Sequence, residues 1–340
     1  MRFTIALDLQ DLRERLLRTR WPDQADGDLQ EIVRYWADGF DWEAQQARLN
    51  RFEHHIEDGI HFIHARGGAN AIPLMLIHGW PGSFVEFIDM IPMLQGPFEL
   101  IIPSLPGYGF SSKPTEPGMS NARIAELFLK LMSRLGHERF VAQGGDWGAG
   151  VATWMAIKDP KRLTAIHLNY IPGSYAPVID APLTPEEQRF LEDKARWGDE
   201  SGAYGHVQRT RPLTLAYGLN DSPAALAAWI LEKFREWADP ASQLSVDHLL
   251  TNITIYWATE TIHSSIRLYR ESAATPLRDV RVDVPTAVAH FPLEAPFPPR
   301  SYIERGYDLR RFTEQSAGGH FAALEQPELL AKDIREFLGA

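Results

Sequence analysis

Apolar runs alternate with amphipathic stretches along much of the chain, which is typical of a sheet covered by helices. Strand-like runs lie at 60–65, 73–77, 100–103, 140–143 and 163–168. Helical spacing of apolar residues is found at 122–135 and 148–158. After a long interruption, the strand pattern returns at 284–290 and 309–313, and a final helix has Pro327 in its first turn. This rhythm predicts an α/β fold with a mostly parallel central sheet.

The N-terminal part of the chain departs from this rhythm. Residues 8–51 predict three short helices, at 9–18, 29–36 and 42–49. Asp41 is placed to cap the third of these helices. We expect residues 1–55 to form an arm that packs on the core.

A second departure lies between the two groups of predicted strands. Residues 176–270 have a helical pattern, with segments at 185–197, from Ser222-Pro223 onward, and at 249–270. Helices inserted into a parallel α/β core are expected to form a lid over the strand ends, where such folds bind ligands. The core is then expected to comprise residues 56–175 and 271–340.

One sharp turn carries a candidate nucleophile. The strand at 140–143 runs into Gly144-Gly145-Asp146-Trp147-Gly148-Ala149, and a helix follows. Small residues on both sides of Asp146 allow strand and helix to pack closely, so the turn can lift one side chain above the sheet. A simple helix cap is the alternative role for this residue.

A carboxylate in this position restricts the chemistry. Attack by an aspartate on an ester would give a reactive anhydride, whereas displacement at a saturated carbon gives an alkyl ester. The substrate should therefore carry a leaving group on an sp3 carbon. Strained epoxides and alkyl halides both meet this requirement.

Other motifs follow the predicted strands. His78-Gly79-Trp80-Pro81 comes after 73–77, and because Pro81 has no N–H, the backbone amides of Trp80 and Trp147 are predicted to form an oxyanion hole. Glu294 lies just past the strand at 284–290, and His320 lies in Gly319-His320-Phe321. The chain order of aspartate, glutamate and histidine is the order in which α/β hydrolases carry their catalytic residues.

The composition excludes several classes of protein. The chain has 340 residues and a net charge of −11 without a Lys/Arg cluster, which argues against nucleic acid or an anionic membrane as a partner. It has no cysteine, and its first apolar run ends at Asp8. No stretch approaches the roughly 20 apolar residues of a membrane span. We expect a cytoplasmic enzyme.

The sequence predicts neither a metal nor a cofactor. His61 and His64 lie on a predicted strand and would face opposite sides, so they cannot both bind one ion. Gly107-x-Gly109 is not a dinucleotide fingerprint, because no third glycine follows and no helix begins there.

Taken together, these motifs resemble the epoxide hydrolases of the α/β-hydrolase superfamily, specifically the microsomal-type branch without its membrane anchor. The resemblance covers essentially the whole chain and includes Trp21-Pro22-Asp23 and Phe40-Asp41-Trp42 in the arm. It implies an α/β-hydrolase fold with a helical lid and an N-terminal helical arm.

The resemblance also implies roles for individual residues. Asp146 would be the nucleophile, His320 the general base for water, and Glu294 the acid that orients the histidine. Tyr204 and Tyr269 would hold the epoxide oxygen from the lid. The implied reaction converts a small hydrophobic epoxide and water to a vicinal diol without a cofactor.

Two alternatives remain. A haloalkane dehalogenase resembles this chain in fold, in its aspartate nucleophile and in a tryptophan such as Trp147 after it. The lid tyrosines favour an epoxide, because a departing alkoxide gains from an acidic O–H donor whereas a halide needs no proton. A non-catalytic ligand-binding protein on the same scaffold is the second alternative. The sequence leaves the preferred epoxide and the oligomeric state open.

Overall fold

The computed structural model describes residues 1–340 and contains a central nine-stranded sheet and a separate two-stranded one. The strands are β1 (Arg2–Phe3), β2 (His54–Glu57), β3 (Ile60–Ala65), β4 (Ile72–Ile77), β5 (Phe98–Pro103), β6 (Phe140–Gly144), β7 (Leu163–Leu168), β8 (Ala176–Pro177), β9 (Arg278–Val280), β10 (Val282–His290) and β11 (Tyr307–Glu314). The large sheet has the order β1-β2-β3-β5-β4-β6-β7-β10-β11. The pairs β1–β2, β2–β3 and β3–β5 are antiparallel. All later pairs in this order, from β5–β4 to β10–β11, are parallel. The prediction of an α/β fold with a mostly parallel sheet is confirmed.

Helices fill the connections between these strands. They are α1 (Gln10–Leu17), α2 (Gly27–Asp38), α3 (Trp42–Leu49), α4 (Ile91–Leu94), α5 (Asn121–Arg134), α6 (Asp146–Lys158), α7 (Pro185–Glu200), α8 (Ala203–Thr210), α9 (Pro212–Asp221), α10 (Pro223–Trp237), α11 (Val246–Ala258), α12 (Ile262–Ser272), α13 (Arg300–Glu304), α14 (Ala322–Glu325) and α15 (Pro327–Leu338). None of them is both long enough and apolar enough to cross a membrane.

Alternate residues of the central strands enter different hydrophobic clusters. On β4, Met75 and Ile77 pack into one cluster with α5 and α6, whereas Leu74 and Leu76 pack into another with α4 and α15. Because successive side chains of a strand point to opposite faces, the sheet is buried on both sides. This explains why its strands read as continuous apolar runs in the sequence.

The long helix predicted at 249–270 is wrong in one respect, because the structure divides it into α11 and α12. Glu260, between them, has a left-handed backbone with φ of 51°. The Thr259 hydroxyl bonds the Ile255 carbonyl and contacts the Thr261 hydroxyl at 2.8 Å. Threonine hydroxyls that bond the backbone compete with helix continuation, and the break lets α12 pack against α8 and α9.

The predicted boundaries of the arm, core and lid fall among the following helices and strands. Helices α1 to α3 precede the sheet, and α7 to α12 lie between β7 and β10 in the chain. The boundary predicted at residue 55 falls within β2, and the one at residue 270 falls within α12. The division into three parts stays a prediction.

A buried ion cluster joins the last helix to the sheet. The Asp333 carboxylate accepts hydrogen bonds from His167 at 2.9 Å and from Arg311 at 2.9 Å, and its side chain is 1% exposed. Burial raises the pKa of Asp333, but its bonds to His167 and Arg311 outweigh burial and lower that pKa to about 2.

We expect Asp333→Ala to lower the free energy of unfolding by about 3–5 kcal/mol, because it leaves His167 and Arg311 without their buried partner. Glu336 accepts from the same Arg311 but is 46% exposed, so Glu336→Ala is the matched control and should lower it by less than about 1 kcal/mol. Urea unfolding measures both. Equal losses would show that burial of the pair does not matter.

Candidate active site

Asp146 occupies the sharp turn between β6 and α6. Its backbone has φ of 45°, in the left-handed region that a non-glycine residue adopts only under strain. A Cβ on Gly148 would lie 2.0 Å from the Ile77 carbonyl oxygen, so only glycine lets α6 approach β4 this closely. The turn raises the Asp146 side chain over the carboxyl ends of the parallel strands, and the side chain is 22% exposed.

Backbone amides contact the carboxylate of Asp146. The Trp80 N–H donates to Asp146 Oδ1 at 2.7 Å, and the Trp147 N–H also faces the carboxylate and stabilises its charge. A Cβ on Gly79 would lie 2.1 Å from the same oxygen. The loop after β4 therefore brings its backbone directly against Asp146, where an oxyanion hole for an ester of this residue would lie.

His78, in the same loop, has a structural role. Its Nδ1 bonds the Gly79 carbonyl at 3.0 Å, and its Nε2 accepts from the Leu105 N–H at 3.1 Å. Burial lowers the pKa of His78 to about 4, which keeps the ring neutral and suits it to accept this bond. The imidazole thus fixes the loop that carries Trp80.

The structure brings Asp146, His320 and Glu294 together. His320 Nε2 lies 3.6 Å from Asp146 Oδ2, and His320 Nδ1 lies 2.7 Å from Glu294 Oε2. The side chains of His320 and Glu294 are 9% and 7% exposed. The histidine therefore lies between two carboxylates, with one ring nitrogen bonded and the other directed at the candidate nucleophile.

A second carboxylate positions the loop of His320. The Glu325 side chain accepts the N–H groups of Gly319 at 2.9 Å, Phe321 at 2.7 Å and Asp239 at 2.6 Å. The His320 N–H donates to the Trp237 carbonyl at 3.0 Å. The end of α10 and the histidine loop are thus held together.

Three titratable groups at the site have displaced pKa values. Burial lowers the pKa of His320, but the nearby carboxylates, with Glu294 first among them, outweigh burial and raise it to about 9. Burial raises the pKa of Asp146 despite the opposing effect of His320. Burial also raises the pKa of Glu86 to about 8. Mutually perturbed buried groups are typical of catalytic sites.

Tyr204 and Tyr269 come from α8 and α12 and lie beside the two tryptophans. Trp80 stacks on Tyr204 with ring centroids 5.7 Å apart, and Trp147 meets Tyr269 edge to face at 4.7 Å. The two tyrosine hydroxyls interact with each other. Burial raises the pKa of both phenols above the ordinary value of about 10, so both are protonated at neutral pH and can donate.

A cavity of about 470 Å³ opens onto Asp146, His320 and Glu294. Its wall is rich in aromatic rings, from Tyr170, Tyr175, Phe190, Trp197, Tyr204 and Trp237. Tyr204 lines this cavity, whereas Tyr269 does not. A second space of about 20 Å³, enough for one water, lies between Asp146, His320, Glu86 and Asn169.

Sequence reasoning missed Glu86 and Lys233. Each is a charged residue within an apolar stretch, Phe84-Val85-Glu86-Phe87 and Ile230-Leu231-Glu232-Lys233-Phe234. That mismatch was a signal, because a charge on a buried face is retained only where it has a partner or a function. Nothing in the sequence indicated that both side chains would lie beside the catalytic candidates.

The histidines of β3 lie elsewhere. His61 bonds His54 at 2.9 Å and Ser104 at 2.9 Å, whereas His64 bonds Glu99 at 2.6 Å. Possible ligand atoms of His64, Glu99 and His137 fall within 4.8 Å of one another. The Glu99 carboxylate already satisfies His64 as a hydrogen-bond partner, and the expectation of no metal stays a prediction.

Comparison with known families agrees along most of the chain. The family model described as the epoxide hydrolase N terminus matches residues 3–87. The model of the α/β-hydrolase fold matches residues 72–271. The two matches together include the arm, the first strands, the turn at Asp146 and the helices α7 to α11.

Individual proteins are similar over most of their length. Epoxide hydrolase 1 of Sus scrofa is 39% identical over 92% of this chain and 79% of its own. The structure of the Aspergillus niger epoxide hydrolase superposes with a TM-score of 0.90 at 30% identity, covering 99% of this chain and 95% of that one. Juvenile hormone epoxide hydrolase of Bombyx mori gives 0.89 at 32% identity, covering 99% and 93%.

Proposed function

This chain belongs to the epoxide hydrolases of the α/β-hydrolase fold, and we propose that it opens its substrate through a covalent alkyl ester on Asp146. The observation that carries this proposal is the placement of the Asp146 carboxylate. Its Oδ1 accepts the Trp80 N–H at 2.7 Å, while its Oδ2 faces His320 at 3.6 Å, and the Trp147 N–H also stabilises the carboxylate. The two oxygens therefore have different surroundings, as nucleophile and future carbonyl oxygen require.

In the first step, Oδ2 of Asp146 attacks an epoxide carbon from the side opposite the ring oxygen. The carbon–oxygen bond of the ring breaks as the new ester bond forms, and the ring oxygen takes a proton. Tyr204 lines the cavity and its hydroxyl interacts with that of Tyr269, which supports these two phenols as the donors. Back-side displacement requires these donors to lie opposite the nucleophile.

In the second step, water attacks the ester carbonyl carbon while His320 takes its proton. The negative charge that develops on Oδ1 falls where the Trp80 amide can stabilise it, and the Trp147 amide also faces this group. Collapse of this intermediate expels the diol oxygen, which receives the proton from His320. The second proton of the water is left on the carboxyl group of Asp146, and its loss balances the proton that the phenol regains. The space of about 20 Å³ beside Asp146 and His320 can supply the water.

We expect a single turnover in heavy-oxygen water to yield a diol without label, because its new oxygen is Oδ2 of Asp146. The label should instead enter the carboxylate and appear in the diol of the second turnover. Mass spectrometry of the product, and of the peptide that contains Asp146, follows both. Label in the diol of the first turnover would mean direct attack by water and would refute the ester.

The aromatic wall of the cavity supports a hydrophobic epoxide as the substrate. The relatives named above are epoxide hydrolases, so we do not propose dehalogenase activity or mere ligand binding. Following both diol and halide release with a panel of epoxides and haloalkanes checks this choice. A cytoplasmic location stays a prediction.

A further inference from the structure

A buried lysine that the proposed reaction does not use lies against Tyr204. Lys233, on α10, is 3% exposed. Its Nζ lies 4.7 Å from the centroid of the Tyr204 ring and 5.5 Å from that of Trp237. Lysine is almost never this buried without a partner, so its position requires an explanation.

Two carboxylates bind this ammonium from the solvent side. Lys233 Nζ lies 2.8 Å from Glu236 Oε2 and 2.5 Å from Glu232 Oε1, and these glutamate side chains are 34% and 62% exposed. A lysine at the surface could form the same ion pairs with these exposed carboxylates, so the ion pairs do not explain why Lys233 is buried. The feature that only the buried position provides is the contact with the two aromatic rings.

We propose that Lys233 is a positioning residue whose ammonium stabilises the negative charge that develops on Tyr204 when this phenol donates its proton to the epoxide oxygen. The proposal rests on the proposed function, in which Tyr204 is a donor. A cation over an aromatic face attracts its electrons, and the attraction grows as the phenol takes on phenolate character. Little water screens this contact, because the side chain of Lys233 is only 4% exposed.

The surroundings of Tyr204 make such assistance necessary. Burial raises the pKa of this phenol, as do the negative charges of Asp146 and Glu236. A weaker acid is a poorer proton donor toward a departing alkoxide. The ammonium opposes this effect directly at the ring, and it also neutralises Glu236, which lines the cavity.

The test is the rate of ester formation in a single turnover, measured apart from ester hydrolysis. We expect Lys233→Met to slow alkylation by about tenfold or more and to leave hydrolysis of the ester unchanged. Lys233→Arg retains the charge and should recover most of the rate. Equal slowing of both steps, or no recovery with arginine, would indicate a structural role and overturn the proposal.

A double-mutant cycle tests whether Lys233 acts through Tyr204. In a Tyr204→Phe background, Lys233→Met should have little further effect on alkylation, because the phenol is already absent. Additive losses would overturn the proposal. In a Glu236→Gln background, Lys233→Met should still slow alkylation. Recovery of the parent rate there would mean that the lysine serves only to neutralise Glu236.

Controls separate this proposal from the proposed function. Lys158 also lies over an aromatic ring, that of Trp154, at 5.7 Å. It is at the opposite end of α6 from Asp146, so the Lys158→Met enzyme should be alkylated at the parent rate. If Tyr204→Phe is slow but Lys233→Met is not, only the lysine proposal fails. If Tyr204→Phe alkylates at the parent rate, the donor role of the tyrosine fails first. If the Lys233→Met protein does not fold, Lys233→Gln takes its place in these experiments.

Discussion

Replacing His320 by Gln is expected to stop turnover at the alkyl-enzyme. Steady-state diol formation should fall by about 10³-fold or more, because general base catalysis of the water attack is lost. Ester formation needs no proton removed by His320, so Asp146 should still be alkylated. Intact-protein mass spectrometry after exposure to epoxide should therefore show a gain of one substrate mass, located on the peptide that contains Asp146.

The pKa of His320 supports its proposed role in the second step. In the resting enzyme the carboxylates of Glu294 and Asp146 raise that pKa to about 9 against the effect of burial, so the ring is charged at neutral pH. Alkylation converts Asp146 to an uncharged ester and removes one of these carboxylates. The pKa of His320 must then fall, which frees the imidazole to accept a proton from water.

Two controls make the histidine experiment decisive. His137 lies in the loop before β6, at the opposite end of this strand from Asp146. The His137→Gln enzyme should therefore turn over at the parent rate. His320→Gln combined with Asp146→Ala should acquire no adduct. A His320→Gln protein that binds substrate but remains unmodified would count against the assignment of His320 to hydrolysis alone.

The features that the sequence predicted correctly are those that local physics determines. The strands β3 and β7 coincide with the predicted runs at 60–65 and 163–168, because short, mostly apolar segments suit a sheet that is buried on both faces. The turn at Asp146 could be predicted because Gly148 leaves no room for another residue. Asp41 caps α3 as expected, by accepting the Ala44 N–H.

Features that depend on packing between distant segments could not be predicted in this way. The break at Glu260 depends on how α12 packs against α8 and α9, and the threonines beside it are unremarkable in sequence. The donor role of Tyr204 and Tyr269 is implied only by the family resemblance, since no local sequence pattern distinguishes them from tyrosines that merely pack. Glu86 and Lys233 become significant only when the fold places them beside His320 and Tyr204.

Tyr204 and Tyr269 are expected to control alkylation and not ester hydrolysis. Their hydroxyls would donate to the epoxide oxygen, which acquires charge only while the ring opens. Tyr204→Phe should slow ester formation by about tenfold or more. Tyr269→Phe should have a smaller effect, because Tyr269 does not line the cavity and interacts with Tyr204.

The double mutant distinguishes cooperation from simple packing. If either O–H can partly replace the other, the Tyr204→Phe, Tyr269→Phe enzyme should alkylate far more slowly than either single mutant, by roughly a hundredfold or more relative to the parent. Stopped-flow tryptophan fluorescence can follow the step, since Trp80 and Trp147 adjoin Asp146. Tyr217→Phe is the matched control, because this tyrosine of the same helical insertion is 73% exposed.

Ester hydrolysis provides the internal reference for the tyrosine variants. In the proposed mechanism the tetrahedral intermediate develops its charge on Oδ1 of Asp146, which accepts the Trp80 N–H, so a phenol is not required there. The double mutant should therefore hydrolyse a preformed ester at nearly the parent rate. A folded double mutant that alkylates as fast as the parent would exclude the tyrosines as donors. The proton for the ring oxygen would then have to come from water or from another polar group that lines the cavity opposite Asp146.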